Sequence, residues 1–438
     1  MTDQELHLLL EDMSLQEKID QLLQLTADFY GKTDRDVVTG PASELGISME
    51  HIDLAGSVLN GTGAKALMQI QDAYMDRHPH HIPLLFMMDV IHGYRTIFPA
   101  PIAQGASFDP EMSKRAASVA AREASAAGIH VVFSPMVDLV RDPRWGRVME
   151  STGEDPYLNS RFAAAQIHGF QGDDMKEDGK VCGCIKHFAG YGGAEAGREY
   201  NTVQVSEHTF REYYLPSYEA GIKAGAGMVM TSFNTVNDIP ATINQKLMRQ
   251  MLREEMGFDG VLISDYAAIL ETVAHGASSD KKDAAYKALL AGVDIDMMTG
   301  CYAGELAKLV KEGTIPESLI DESVLRILQL KNQLGLFEHP HKDADPEKEA
   351  RYILCPEHRA LAREAASASC VLLKNDKVLP IRPSQKEAFI GPNNDNYENC
   401  SSWAVTGHPE DSVTIRQAAK ELLPDSDLTF CHGTSLLP

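Results

Sequence analysis

The sequence lacks the features of a disulfide-stabilised, metal-binding or membrane-spanning protein. Its seven cysteines are an odd, scattered set with no C-x-x-C pair and no zinc-type spacing, which predicts free thiols and no metal site. No run approaches the roughly 20 apolar residues of a membrane span. Residues Met1 to His7 lack the basic region and apolar core of a secretion signal. These absences predict a cytoplasmic protein that makes no contact with a membrane.

The chain is also poor in basic residues. It has 40 Lys and Arg against 63 Asp and Glu, and its formal net charge is −23. Because affinity for nucleic acid comes from neutralising phosphates with Lys and Arg, we expect no nucleic-acid partner. A small neutral or cationic substrate fits this charge better, no cofactor is inferred, and assembly into a homo-oligomer is compatible with the sequence.

What is present is an alternation of short apolar runs with longer helix-like segments, which is typical of a parallel α/β protein. Most runs are continuously apolar, so both of their faces should be buried, as in the wall of a barrel covered by helices. We therefore predict a (β/α)8-type barrel, with strand candidates at 55–60, 83–89, 130–138, 181–187, 227–234, 260–265 and 293–298.

The barrel is predicted to span residues 1–336, followed by a charged, proline-containing linker at 337–358. Residues 359–438 predict the beginning of a second α/β domain, with strands at 371–373, 388–390 and 428–430. These strands are too few to close a doubly wound sheet. The second domain is therefore expected to be incomplete and to expose apolar surface and an unpaired strand edge.

Polar residues stand at the ends of the predicted barrel strands, where barrels of this type do their chemistry. Asp265 follows the run Gly260 to Ser264, Asp89 follows Leu84 to Met88, and the pair Lys186-His187 ends another run. A cationic pair beside a buried strand is costly unless something pairs with it. For Asn60, Asp138 and Asp296, which end other runs, helix capping is an equally good interpretation.

These residues suit the cleavage of a glycosidic bond with retention, which needs a carboxylate nucleophile and a carboxylic acid about 5 to 5.5 Å apart. Asp265 is the predicted nucleophile, and we expect Lys186, His187 and Arg147 to hold it in its charged form. Asp89 and the forked donors of Arg95 and Arg147 suit vicinal hydroxyls. The alternative is that Asp89 and Arg147 simply pair with each other to stabilise loops.

Several long motifs resemble those of glycoside hydrolase family 3, and within it the bacterial β-glucosidases. They are Asp89 to Thr96, Asp142 to Arg147 with Glu150 and Gly153 to Pro156, Lys186 to Gly192, Glu199 to Asn201, Pro240 to Thr242, Gly257 to Tyr266 and Val371 to Asn375. The resemblance implies a retaining β-glucosidase that removes terminal non-reducing β-D-glucosyl residues through a covalent intermediate on Asp265. It also implies a glucose pocket formed by Asp89, Arg147, Lys186 and His187 and lined by Arg95, Met230, Phe233 and Tyr266.

Two departures from the family pattern are visible. Phe233 stands where the family often has Tyr, so the hydrogen bond that a tyrosine hydroxyl would give the nucleophile is absent. The family's acid/base Glu is expected beyond Pro438, so we expect this chain to bind glucose-like sugars and to hydrolyse them weakly.

Three alternatives remain open at the level of sequence. A β-xylosidase or another family 3 exo-glycosidase shares these motifs. A barrel lyase that forms a Schiff base through Lys186 explains that lysine, although it leaves the Arg147 loop unexplained. A sugar-binding protein without catalysis is the third.

Overall fold

The computed structural model describes residues 1–30, 45, 47–382 and 384–434. The remaining residues of the predicted domains 1–336 and 359–438 lie outside this description. Eight parallel strands form one sheet: β1 (Leu23–Thr26), β2 (Ser57–Leu59), β3 (Leu85–Met88), β4 (Val131–Val132), β5 (Cys182–Phe188), β6 (Met228–Thr231), β7 (Val261–Ile263) and β8 (Asp296–Met297).

The strands follow one another around the sheet in chain order, and β8 pairs with β1. A parallel bridge between Ile263 and Ile295 joins the β7 and β8 edges, so the sheet is a nearly closed barrel. The predicted (β/α)8-type fold is confirmed. Each strand candidate overlaps an observed strand, and all the observed strands except β5 are shorter than predicted.

The barrel wall is apolar on both sides. The side chains of β3, β6 and β7 are all buried, as continuous Val, Ile, Leu and Met runs predict for parallel strands covered by helices. Strand β1 was missed by the sequence analysis. It is only four residues long, includes the polar Gln24 and follows the helix Leu15–Gln21 almost without a turn.

Helices cover the barrel between the strands. They are Met49–Leu54, Ala64–Arg77, Pro101–Ala106, Pro110–Ala126, Pro156–Gln171, Glu207–Thr209 continuing as a π-helix over Phe210–Tyr214, Pro216–Lys223, the π-helix Lys246–Glu255, Ala268–Ala274, Lys281–Ala291, Cys301–Lys311 and Ser318–Gln333. Two further helices, Asp3–Asp12 and Leu15–Gln21, precede β1, and each begins with a capping box.

Local sequence explains where these helices begin and how closely they pack. Asp109 caps Pro110–Ala126 and Asp155 caps Pro156–Gln171, and each cap is followed by proline at the first helical position. The two helices cross at Gly169, where a Cβ atom would lie 2.5 Å from the carbonyl oxygen of Lys114. Only glycine allows this approach.

A small three-stranded sheet follows the barrel strands β5 and β6 in sequence. It consists of Thr202–Val203, Thr235–Val236 and Ile239–Pro240. It orders the loops that carry Tyr200 and Phe233, which immediately precede its first two strands.

The segment 337–358, predicted as a linker, contains the helix Pro346–Tyr352, and a second helix, Pro356–Ala368, follows. Both pack on the barrel helix Pro110–Ala126. His358 Nδ1 and the buried Glu123 are 2.8 Å apart, which ties the second helix to the barrel. The domain boundaries themselves stay predictions.

Beyond these helices lie two parallel strands, β9 (Lys386–Ile390) and β10 (Asp427–Cys431), and the helix Ile415–Leu422. The predicted strand at 371–373 is wrong: this segment has no strand pairing, and its apolar side chains are exposed, Leu373 to 91%. Neither face of β9 and β10 is fully buried, in contrast to the barrel strands. No helix in the described part of the chain has the length and apolar character to cross a membrane.

Candidate active site

Predicted site residues lie at the carboxyl ends of the barrel strands. Asp89 follows β3, Lys186 and His187 lie within the last three residues of β5, and Asp265 lies two residues after β7. Arg147 comes from the loop after β4. Because parallel strands of a barrel all end at the same mouth, five groups that are far apart in sequence are brought together.

Asp265 is held at the mouth with one oxygen bonded and one open. The Tyr266 backbone N–H donates to its Oδ1 over 2.6 Å. Its Oδ2 has no hydrogen-bond partner among the described residues, and neither has the Nε2 atom of His187, which lies 3.5 Å away. Both atoms are buried, so each is available for a hydrogen bond with a polar group of a ligand.

Burial opposes the expectation that Asp265 is held charged. Burial raises the pKa of Asp265 to about 7, although the positive charges of Arg147 and Lys186 oppose this shift. The sequence indicated the cations that lower the pKa of Asp265. It did not indicate how strongly burial would raise that pKa. Asp265 therefore changes its charge near neutral pH.

The two cations are each anchored by a carboxylate. Lys186 Nζ donates to Asp89 Oδ1 over 2.7 Å, and the Lys186 side chain is only 3% exposed. Arg147 binds the fully buried Glu150 through two bonds of 2.6 and 2.8 Å. The alternative in which Asp89 pairs with Arg147 is wrong, because each has another partner. Both cations are therefore fixed in place before a ligand arrives.

Trp403, from the segment between the strands β9 and β10, covers these cations. Lys186 Nζ and the Arg147 guanidinium carbon each lie 5.3 Å from the centre of its ring, within cation–π range. The segment is fastened to the barrel by the His92 ring nitrogen Nε2, 2.9 Å from the Ser402 carbonyl oxygen, and by Thr406, whose hydroxyl donates to the Tyr94 carbonyl. Sequence reasoning missed Trp403. The only signal was that it is one of two tryptophans in the chain.

Three aromatic rings form a wall beside the nucleophile. Tyr191 packs edge-on against His187 at 5.3 Å and in a tilted arrangement against Phe233 at 6.0 Å. Tyr200 packs edge-on against Phe233 at 4.6 Å and remains 48% exposed. Burial, followed by the negative charges of Glu271 and Asp265, raises the pKa of the Tyr200 hydroxyl. Tyr200 is therefore near the nucleophile, and the sequence analysis had not selected it.

The other predicted lining residues differ in their positions. Met230 is buried within β6, opposite Ile263, and Tyr266 is partly exposed beside Asp265. Arg95 instead donates to Asp411 over 2.6 Å and lies 2.9 Å from His408 Nδ1. These contacts join the barrel to the segment 399–412, and they give Arg95 a role in holding that segment. Arg95 as a sugar contact stays a prediction.

The described residues contain no group of three or more His, Cys, Asp or Glu side chains arranged to hold a metal ion. Within the same residues the seven cysteines are free thiols. The absence of a cofactor stays a prediction of the sequence.

Comparison with known proteins identifies relatives along the whole chain. Residues 14–330 match the family model described as the glycosyl hydrolase family 3 N-terminal domain. The chain is 36% identical over 441 residues to a periplasmic β-glucosidase of Salmonella typhimurium, covering 98% of this chain and 55% of that protein. It is 37% identical over 318 residues to a β-xylosidase of Formosa agariphila, covering 69% and 44%.

Solved structures of a β-glucosidase from Listeria innocua are also similar. The complex with glucose superposes with a TM-score of 0.95 at 46% identity, and it covers 100% of this chain and 61% of that one. A mutant of the same enzyme in complex with laminaribiose gives a TM-score of 0.96. The chain thus spans about half the length of the curated relatives it matches.

Proposed function

Because this chain belongs to glycosyl hydrolase family 3, we propose that it acts as a retaining β-glucosidase on terminal non-reducing β-D-glucosyl residues, with Asp265 as its nucleophile. The observation that carries the proposal is the pair of buried atoms without hydrogen-bond partners among the described residues, Asp265 Oδ2 and His187 Nε2, beside two anchored cations. A carboxylate with an open oxygen at a barrel mouth is suited to attack an anomeric carbon.

The proposed roles follow from the contacts. Asp89 and Lys186 form one polar pair, and Arg147 adds a guanidinium that is fixed by Glu150. Such pairs bind sugar hydroxyls with their remaining donors and acceptors at little further ordering cost. Met230, Phe233, Tyr266 and Arg95 are retained as proposed lining residues. Glucose in complex with the Listeria innocua enzyme supports a glucosyl ligand for this pocket.

The nucleophile must lose its proton before it attacks. Since the pKa of Asp265 is raised to about 7 by burial, the charged form becomes dominant only above neutral pH in the free protein. Arg147 and Lys186 supply the field that stabilises this form.

A general acid for the leaving group is harder to assign. Three carboxylates near the site have partners: Asp89 binds Lys186, Glu150 binds Arg147, and Glu199 Oε2 accepts from the Trp145 indole N–H over 3.0 Å. The other oxygen of Glu199 has no hydrogen-bond partner among the described residues, and burial raises the pKa of Glu271, whose charge acts on Tyr200. We therefore propose that hydrolysis by this 438-residue chain depends strongly on the leaving group. General acid catalysis typically contributes about 10²- to 10⁴-fold, so activated aryl glucosides should suffer least.

Aryl and alkyl β-glucosides of graded leaving-group pKa test this proposal. We expect rates that rise steeply as the leaving group becomes more acidic, and NMR should show the β-anomer of glucose as the first product. Equal rates on alkyl and nitrophenyl glucosides would show that an acid acts within this chain. First release of the α-anomer would contradict the retaining mechanism.

A β-xylosidase is the second candidate, supported by the 37% identity to the Formosa agariphila enzyme. Nitrophenyl β-xyloside decides between the two, because a xylosidase should cleave it with a higher kcat/KM than the glucoside. Glucose binding in a calorimeter without any turnover would instead support the sugar-binding alternative.

A Schiff-base lyase is disfavoured by the geometry. Lys186 donates to Asp89 over 2.7 Å, and an ammonium held in an ion pair lacks the lone pair that attacks a carbonyl. Borohydride trapping of a carbonyl compound on Lys186 would reverse this conclusion.

The location and partners are proposals as well. We propose a cytoplasmic location and a small β-glucoside or oligosaccharide as the substrate, without nucleic acid or membrane, and with a homo-oligomer as an option. Cell fractionation tests the location, and the Salmonella typhimurium relative, which is named as periplasmic, supplies the competing outcome.

A further inference from the structure

The inner side of the His187 ring faces a second buried aspartate, Asp138. The backbone N–H and the Nδ1 atom of His187 both approach Asp138 Oδ2, at 3.0 and 2.7 Å. The side chains of Asp138 and His187 are 0% and 1% exposed. The arrangement is therefore closed to water, and each proton in it must be assigned to a protein atom.

The hydroxyl of Tyr218 determines how the protons are distributed. It lies 2.5 Å from the carbonyl oxygen of His187 and 2.7 Å from Asp138 Oδ1. A tyrosine hydroxyl has one proton to donate, and a carbonyl oxygen can only accept. If Tyr218 donates to the carbonyl, its own oxygen is left as an acceptor, and Asp138 Oδ1 must then carry a proton to make the second contact favourable.

We propose that Asp138 is a positioning residue that acts as a neutral carboxylic acid. Its Oδ1–H donates to Tyr218, Tyr218 donates to the His187 carbonyl, and Asp138 Oδ2 accepts both the N–H and the Nδ1–H of His187. Every hydrogen-bonding atom that Asp138, Tyr218 and His187 present to one another then has a complementary partner. The catalytic consequence of this arrangement rests on the proposed function, whereas the arrangement itself does not.

The charges around the group agree with this proton count. Burial raises the pKa of Asp138 to about 7, against the bonds from Tyr218 and His187 and the charge of Arg147, and Glu150 adds to the rise. Burial, Arg147 and Lys186 hold the pKa of His187 well below its ordinary value. Both residues are therefore neutral in the same pH range.

The consequence for the site is a defined orientation of His187. With Nδ1 as the donor, Nε2 presents a lone pair toward Asp265 Oδ2, 3.5 Å away. Two facing acceptors need a donor between them. The proton of the Asp265 carboxyl takes this position in the free protein at low pH, and a sugar hydroxyl donates to one of the two atoms when substrate binds.

The variant Asp138→Asn separates the neutral from the charged arrangement. An asparagine donates from its amide to Tyr218 and accepts from His187 at its oxygen, so it reproduces every bond of the neutral acid. We expect Asp138→Asn to retain thermal stability and activity. Asp138→Ala should lower kcat/KM by about 10- to 100-fold, because buried donors lose their acceptor. A charged Asp138 predicts instead a loss of up to about 10⁴-fold for the asparagine, as when a catalytic histidine is forced into the wrong tautomer.

Asp296 provides a matched control. It is equally buried, yet it accepts from the Thr299 N–H and hydroxyl at one oxygen and from the Tyr302 N–H at the other. Whichever way an asparagine amide is turned there, its NH₂ group faces a backbone N–H. Asp296→Asn should therefore lower Tm while Asp138→Asn does not.

The pH dependence of Tm gives a second readout, whose sign differs between the two arrangements. If folded Asp138 keeps its proton to about pH 7, the folded state binds more protons than the unfolded state from about pH 4 to 7, and stability falls as pH rises. Asp138→Asn removes this fall, so its Tm relative to the wild type should increase over that range. A relative Tm that decreases there would overturn the proposal.

Nitrogen NMR of ¹⁵N-histidine-labelled protein tests the tautomer without any need for turnover. The signals of His187 are found as the difference between the wild type and His187→Gln. We expect a protonated Nδ1 and a bare Nε2 at neutral pH. An imidazolium, or a proton on Nε2, would contradict the proposal even if the protein hydrolyses glucosides. The expected tautomer in an inactive protein would contradict only the proposed function.

Discussion

The two nitrogens of the His187 ring face two buried aspartates, Asp265 at the barrel mouth and Asp138 in the interior, and the surroundings of these aspartates differ. On the mouth side, Asp265 has an open Oδ2 and two cations in its surroundings. On the interior side, Asp138 has both oxygens engaged by Tyr218 and His187. Burial raises the pKa of both carboxyls to about 7. A raised pKa therefore does not by itself identify the reactive group; the open oxygen does.

The largest expected effect comes from changing the mouth-side aspartate. Asp265→Asn removes the attacking charge, and we expect kcat on an activated aryl glucoside to fall by about 10⁴-fold or more, as for other nucleophile deletions. Sugar binding should persist, which isothermal calorimetry can measure. If this variant kept even a few per cent of wild-type activity, Asp265 would not be the nucleophile.

Removing a cation from the mouth side should have the next largest effect. Arg147→Leu leaves Glu150 buried without its partner and withdraws a charge-assisted donor, so kcat/KM should fall by about 10²- to 10³-fold. Because Arg147 lowers the pKa of Asp265, the acidic limb of the pH–rate profile should move to higher pH.

Arg144→Leu is the matched control for that loop. Arg144 is 69% exposed and pairs with Asp142 on the surface, three residues from Arg147. It should leave both kcat/KM and the pH profile unchanged. An equal effect of the two variants would mean that Arg147 acts only by ordering the loop.

The wild-type pH profile tests the mouth-side pKa directly. Attack requires ionised Asp265, so kcat/KM on an activated glucoside should rise with pH up to about 7 and then level off. Below that point it should fall by roughly tenfold for each pH unit, in proportion to the ionised fraction. A limb near pH 4 would show that the cations outweigh burial, as the sequence alone had predicted.

The smallest effect is expected for the ring that covers the cations. Trp403→Ala removes two cation–π contacts worth about 0.5 to 2 kcal/mol, so the dissociation constant for glucose should rise by roughly 2- to 30-fold. Trp403→Phe retains an aromatic face and should restore most of the affinity. Unchanged binding in the alanine variant would remove Trp403 from the site.

Sequence patterns predicted the barrel because its strands are continuous apolar runs, such as Val261–Ile263, that end in polar residues. They failed at β1, whose Gln24 interrupts the run, and at Val371 to Leu373, where a strand-like composition remains exposed. Local composition indicates which segments can form strands, but pairing with other segments of the fold determines which of them do.

The sequence indicated candidate residues for the site, but it did not indicate their contacts or their burial. Asp89, Lys186, His187 and Asp265 could be found because each ends a strand. The pairing of Lys186 with Asp89, the cover by Trp403 and the burial of Asp265 depend on contacts between distant segments, which a single sequence does not contain.

We propose that Asp265 attacks the anomeric carbon of a sugar bound at the barrel mouth. Incubation with a fluoroglucoside that has an activated leaving group, followed by peptide mass spectrometry, tests it most directly. We expect one fluoroglucosyl group on the peptide that contains Asp265, and none in the Asp265→Asn variant. A label on any other residue, or unlabelled wild-type protein that still hydrolyses the parent glucoside, would contradict it.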